Sequence, residues 1–106
     1  MTDFVQITTT TGSRADAEKI AAELVARRLA GCVQVVGPIT STYRWQGDVE
    51  TTEEWMCVVK TSRAQLPAIQ TLLDEIHPYD VPEIIATPIV AGSDAYLKWL
   101  NEQLGA

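Results

Sequence analysis

The chain has 106 residues, 46% of them hydrophobic and 21% charged, enough for one hydrophobic core but not two, so residues 1–106 read as a single globular domain. A formal net charge of −6 and scattered basic residues, with Arg27-Arg28 the only adjacent pair, argue against a nucleic-acid partner. No stretch approaches the roughly 18 apolar residues of a membrane span, and Met1-Thr2-Asp3 opens no basic-then-apolar leader, so the expectation is a cytoplasmic protein with no membrane partner.

Phe4, Val5, Ile7 and the threonines Thr8 to Thr11 predict a first strand, stopped by Gly12. Ser13 with Asp16 resembles a capping box, and Ile20, Leu24 and Leu29, with Ala17, Ala21 and Val25, give a helical stripe. Gly31 is placed to end this helix in a left-handed cap. The segment Thr9 to Ser13 leads into a helix N-terminus, whose free amides suit a small anion, although many such turns bind nothing.

From Cys32 to Trp45 the sequence is β-branched and aromatic, turns at Gln46-Gly47, and resumes from Val49 to about Lys60 as a hairpin. Arms of about 13 residues reach about 40 Å, against a radius of gyration of about 13 Å for a domain this size. The ribbon, with Tyr43, Trp45 and Trp55, should overhang its own core at the tip and take a second copy of the chain as partner. The alternative is that Gly37-Pro38 breaks the first arm into two strands that fold back. Asp48, Glu50, Glu53 and Glu54 read as a solvated acidic face. If Trp45 faces Asp48, Cys57 falls opposite Val36 and Cys32 opposite Thr61. That offset is roughly 13 Å, too far for a disulfide, so both thiols should be free.

Ser62 and Gln65 suggest a second capping box, and Leu66, Ile69, Leu73 and Ile76 a second helix, with Pro67 in its first turn and Pro78 as its stop. Glu83 to Ala91 reads as a strand, limited by Pro88 to an edge or bulge, and Ser93-Asp94 opens a last helix carrying Leu97, Leu100 and Leu104. The order βαββαβ plus a C-terminal helix specifies an α+β, ferredoxin-like split βαβ sandwich. Its second sheet face stays bare in a monomer, a further argument for an oligomer.

Chemistry concentrates around His77, the only histidine, with Asp80 and Glu83 nearby. An imidazole beside carboxylates is a plausible set for a transition-metal ion, but Pro78 and Pro82 stiffen the segment, so it converges only if the chain turns back or another subunit contributes. The competing reading is that His77 caps its helix, bonding terminal carbonyls. Cys32 and Cys57 are soft donors suited to copper(I) or zinc, but cysteines in strands are more often small buried hydrophobes. The sequence contains no G-x-S-x-G, P-loop, GxGxxG or HExxH motif and predicts no organic cofactor. A general-base role for His77 needs a nucleophile or substrate proton within about 3 Å, so no enzyme is expected.

The segments RRLAGCVQV, STYRWQGDVE, VVKT, IHPYDVPEI and YLKWL, in order along the chain, resemble the CutA family of divalent-cation tolerance proteins. The resemblance implies a homotrimer with interlocking hairpins, structurally PII-like, that binds copper or other divalent metal ions without known catalysis. It carries the family motif onto His77, Pro78, Tyr79, Pro82 and Glu83, and the cysteine after the first helix onto Cys32. Some members place a cysteine near the end of the first strand and a second histidine beside the motif one, where this chain has Thr9 and Ile76. His77, Glu83 and Cys32 are therefore the candidate metal ligands, and a set this small implies weak binding. The alternative from another class is a PII-like signalling or scaffold trimer taking a small anion or a partner protein in its intersubunit clefts.

Overall fold

A computed structural model of the protein describes residues 3–105; Met1, Thr2 and Ala106 lie outside them. The first strand, β1 (Phe4–Thr11), occupies the predicted span and places Val5, Ile7, Thr9 and Thr11 on one buried face. The helix α1 (Arg14–Ala26) begins as expected, with the Ser13 hydroxyl accepting from the amide of Asp16 at 3.1 Å. It buries Ala17, Ile20 and Leu24, while Val25 is left 44% exposed.

The end of α1 departs from the sequence reading. The helix stops at Ala26, and the left-handed residue is Arg28, at φ 58°, rather than Gly31. The Arg28 guanidinium donates to the carbonyls of Gln103 and Glu102, at 3.0 and 2.7 Å, and its own carbonyl accepts from Gly105. Those bonds hold Arg28 in a conformation that is sterically uncommon for it. Gly31 answers to a different constraint, because a Cβ there would sit 2.5 Å from Cδ1 of the fully buried Leu100.

Strands β2 (Cys32–Trp45) and β3 (Asp48–Ser62) form the long ribbon around Gln46 and Gly47, both at positive φ. From Trp45 opposite Asp48 to Ile39 opposite Glu54 the register is the expected one, and it then shifts by one residue. Gly37 and Pro38 together oppose Trp55, a β-bulge that accommodates a proline without an N–H to donate. The first arm is thus bent but unbroken. Cys57 consequently faces Val35 and Cys32 faces Lys60, each one residue from the straight extrapolation, and both cysteines are free. The molecule measures 44 × 26 × 21 Å with a radius of gyration of 14.3 Å, elongated as an overhanging ribbon requires.

The second capping box does not form. Ser62 makes no side-chain capping bond, and a short 3-10 turn at Arg63–Gln65 precedes α2 (Leu66–Ile76). Strand β4 is only Ile85–Pro88, shorter than the predicted Glu83 to Ala91, and α3 (Asp94–Gln103) follows, capped by Ser93. The sheet order is β2-β3-β1-β4, all neighbours antiparallel. Strand β3 therefore lies between β1 and β2, which is the ferredoxin-like split βαβ arrangement. Ala17, Ile20 and Leu24 of α1 and Ile69, Leu72 and Leu73 of α2 share one core with Val5, Ile7, Cys57 and Val59. The opposite sheet face, where Val36 and Ile85 are 43% and 52% exposed, carries neither of these helices.

Candidate functional site

The site lies where the ribbon leaves the sheet. Strand β1 runs out at Thr11, paired with Trp55, and Glu54 is the next β3 residue toward the tip. Helix α2 ends at this level, and the segment 78–83 crosses from it toward β4. Ribbon and segment enclose an open cleft of about 670 Å³. Thr10, Ser41, Thr42, Tyr43, Trp45 and Glu54 form its sheet and ribbon wall, and Pro78, Tyr79, Asp80, Val81 and Glu83 the other.

His77 ends α2, as the capping reading requires, but with its backbone rather than its ring: its amide donates to the Leu73 carbonyl at 2.8 Å. The imidazole faces elsewhere. Its Nδ1 accepts from the backbone N–H of Tyr79 at 3.1 Å, and its Nε2 lies 3.1 Å from Oγ1 of Thr9. A backbone amide can only donate, so Nδ1 carries no proton and Nε2–H is the donor to Thr9. Burial pulls the His77 pKa below its ordinary value, while the Thr10 backbone and the carboxylates of Asp16 and Glu54 pull the other way. The favoured species is a neutral ring with both nitrogens engaged.

This geometry bears on catalysis. A hydroxyl within hydrogen-bond distance of an imidazole resembles a nucleophile and its base, and Thr9 meets the distance. The direction of the bond is wrong, because a base must present a lone pair to the hydroxyl and Nε2 presents a proton. Thr9 is also fully buried, out of reach of any substrate.

Tyr79 extends the chain of contacts. Its ring lies 5.1 Å from the imidazole, centre to centre, and its hydroxyl donates to Oε2 of Glu54 at 2.7 Å. Burial and the Glu54 carboxylate push the Tyr79 pKa up, so the phenol stays protonated and remains a donor. Glu54, grouped by sequence with the solvated acids of the ribbon, is 8% exposed. Its role was visible only in the register, as the residue just beyond the end of β1. Asp80 and Glu83 reach the cleft from the segment side, so the turn of chain between Pro78 and Pro82 does bring them toward one opening.

Cys32 is remote. It pairs with Lys60, three residues along β3 from Cys57, which is the partner of Thr9. That is about 10 Å of strand and the opposite sheet face, and the Cys32 thiol instead meets the Tyr96 hydroxyl. Cys57 is buried in the core, where desolvation pushes its pKa up to about 11. Among the described residues, no three His, Cys, Asp or Glu side chains are grouped to hold a metal ion. The proposed set of His77, Glu83 and Cys32 therefore does not converge within one chain.

The anion reading of Thr9 to Ser13 meets a local obstacle. Thr9, Thr10 and Thr11 are buried strand residues, the Thr11 hydroxyl donates to the Ser13 carbonyl at 2.7 Å, and Ser13 itself caps α1. Asp16 adds negative charge to that first turn. No helix among the described residues is long and apolar enough to cross a membrane.

Residues 5–103 match the family described as CutA1 divalent ion tolerance protein. The chain is 46% identical, over 84% of its length and 86% of the relative's, to the divalent-cation tolerance protein CutA of Thermus thermophilus. It is 40% identical to the chloroplastic protein CutA of Arabidopsis thaliana over 87% of its own length, and spans 50% of that relative. The crystal structure of CutA1 from Oryza sativa superposes with a TM-score of 0.95 at 33% identity, covering 98% of this chain and 95% of that one.

Proposed function

This chain belongs to the CutA1 divalent ion tolerance family, and from that premise we propose that it is a homotrimeric, non-enzymatic protein of the cytoplasm that weakly binds divalent cations, copper among them, in the cleft between the ribbon and segment 78–83. The observation that carries the reading is the polarity of the lining. Glu54, Asp80 and Glu83 bring carboxylates and Thr10, Ser41 and Thr42 bring hydroxyls, with no lysine or arginine among the lining residues. Such a wall attracts a cation and repels an anion, which favours this reading over a PII-like trimer taking a small anion there. Oxygen donors completed by water give a weak, unselective site, and copper(II) heads the affinity order at a site of that kind.

Glu83 and Asp80 are the carboxylate donors on the segment side. His77 joins them only by surrendering the Tyr79 amide at Nδ1, and Cys32 belongs to a separate, softer position. The trimer has support in the overhanging tip, where Tyr43, Trp45 and Val49 are 41%, 48% and 63% exposed, and in the bare sheet face. A cytoplasmic location agrees with two free thiols, although the Arabidopsis relative is named chloroplastic.

Calorimetric titration of zinc and copper into the purified protein and into Glu83→Gln, with sedimentation to fix the oligomer, tests the proposal. Loss of affinity in the variant is the expected result; equal binding by both proteins removes the cleft as the site.

A further inference from the structure

We propose that His77 is a positioning residue of the cleft and not a ligand of the cation, an inference that rests on the cation-binding reading above. A metal ion takes an imidazole through an in-plane lone pair, and a neutral ring has only one. In His77 that lone pair, on Nδ1, is directed at the amide of Tyr79, and the proton on Nε2 is directed at Thr9. The residue is only 9% exposed and is not among those lining the cleft.

What the imidazole does instead is local. Acceptance from the N–H two residues on is the bond an asparagine side chain makes in an Asx turn. Here the histidine makes it across Pro78, from an extended backbone at φ −70°, ψ 132°. Nε2 ties the same ring to Thr9, in the middle of the sheet and paired with Cys57. The ring therefore fixes the start of segment 78–83 relative to β1, and with it the Tyr79 phenol that meets Glu54. Thr9, His77, Tyr79 and Glu54 form one hydrogen-bonded run from the sheet to the cleft wall. The cation then sits among the carboxylates on a wall that the histidine holds in shape.

Two measurements on the full-length protein decide this. In protein carrying ¹⁵N-labelled histidine, the imidazole shifts should report a protonated Nε2 and a bare Nδ1, unchanged at saturating zinc. In the variants, His77→Asn keeps an acceptor for the Tyr79 amide and no ring nitrogen, whereas His77→Ala keeps neither. Zinc affinity and protection of the Tyr79 amide from hydrogen exchange should fall less in His77→Asn, which keeps the Tyr79 bond and loses only the tie to Thr9, than in His77→Ala. In His77→Ala the affinity should fall by about tenfold or more, as for other residues that orient a metal site from behind. An imidazole nitrogen that shifts on zinc addition, or an asparagine variant as impaired as the alanine one, overturns the assignment. If wild-type protein binds no zinc, the cation-binding reading fails. The positioning role is then decided by the amide alone: protection in asparagine and not in alanine supports it, equal protection overturns it.

Discussion

Oγ1 of Thr9 lies 3.1 Å from Nε2 of His77, a contact between residues 68 apart in sequence with both partners buried. It joins the central strand to the end of α2 and leaves Nε2–H with a partner it cannot replace from solvent. Thr9→Val is nearly isosteric and removes only the acceptor. With the Thr10 carbonyl still facing the ring, loss of the Thr9 acceptor should cost about 0.5–1.5 kcal/mol, read as a lower urea midpoint at fixed protein concentration. A midpoint unchanged from wild type would show that the bond contributes nothing.

The same ring gives stability a defined dependence on pH. Burial holds the folded-state pKa of His77 below the ordinary 6.5. Between the two values the unfolded chain binds more protons than the folded one, so stability rises with pH through that window. The contribution of the neutral ring is complete above pH 6.5 and is lost as pH falls from there through the folded-state pKa. Urea midpoints across that range should therefore fall more steeply for wild type than for His77→Asn. Parallel curves would mean that His77 titrates alike in both states.

Much of the architecture was legible because it rests on local signals. The Gln46-Gly47 turn, the β-branched arms and the Ser13 cap each specify their element without tertiary help. The misreadings share a cause. Gly31 has the sequence signature of a helix cap, but it reports the proximity of Leu100, 69 positions on in the numbering, and the left-handed cap falls to Arg28, supported by carbonyls at the far end of the chain. The bulge at Gly37-Pro38 was visible as a possible break, yet its effect on register depends on how the ribbon meets β1. At the site, His77 and Glu83 are found by residue type, whereas the direction of each imidazole nitrogen and the burial of Glu54 exist only after Thr9, Tyr79 and the ribbon are assembled.

Gly37 should be intolerant of a side chain. A Cβ there would stand 2.4 Å from Cδ1, 2.8 Å from Cγ and 3.0 Å from Nε1 of Trp55. An indole is a rigid plane and cannot yield at one atom, so the ribbon or the ring must move as a whole. Gly37→Ala should destabilise by about 1–3 kcal/mol, the usual cost of overpacking, and Gly37→Ala with Trp55→Leu should recover part of it. Additive losses in the double variant would locate the strain away from the indole.

Tyr79 and Glu54 are the last link of the run, and their coupling is separable from the cation. The Glu54 carboxylate is 8% exposed and accepts from the Tyr79 hydroxyl at 2.7 Å. Tyr79→Phe removes that donor and leaves a buried carboxylate oxygen to be resolvated or left bare, a loss of about 1–3 kcal/mol. Glu54→Gln keeps an oxygen for the phenol, so it should cost less than Tyr79→Phe. In the double variant the phenol bond is already gone, and the two losses should fail to add by about 0.5–3 kcal/mol. The cycle is read by urea denaturation with chelator present, so that any bound cation is removed. Strict additivity would mean that the phenol bonds a carboxamide as well as it bonds the carboxylate, so that the charge of Glu54 adds nothing to the 2.7 Å contact.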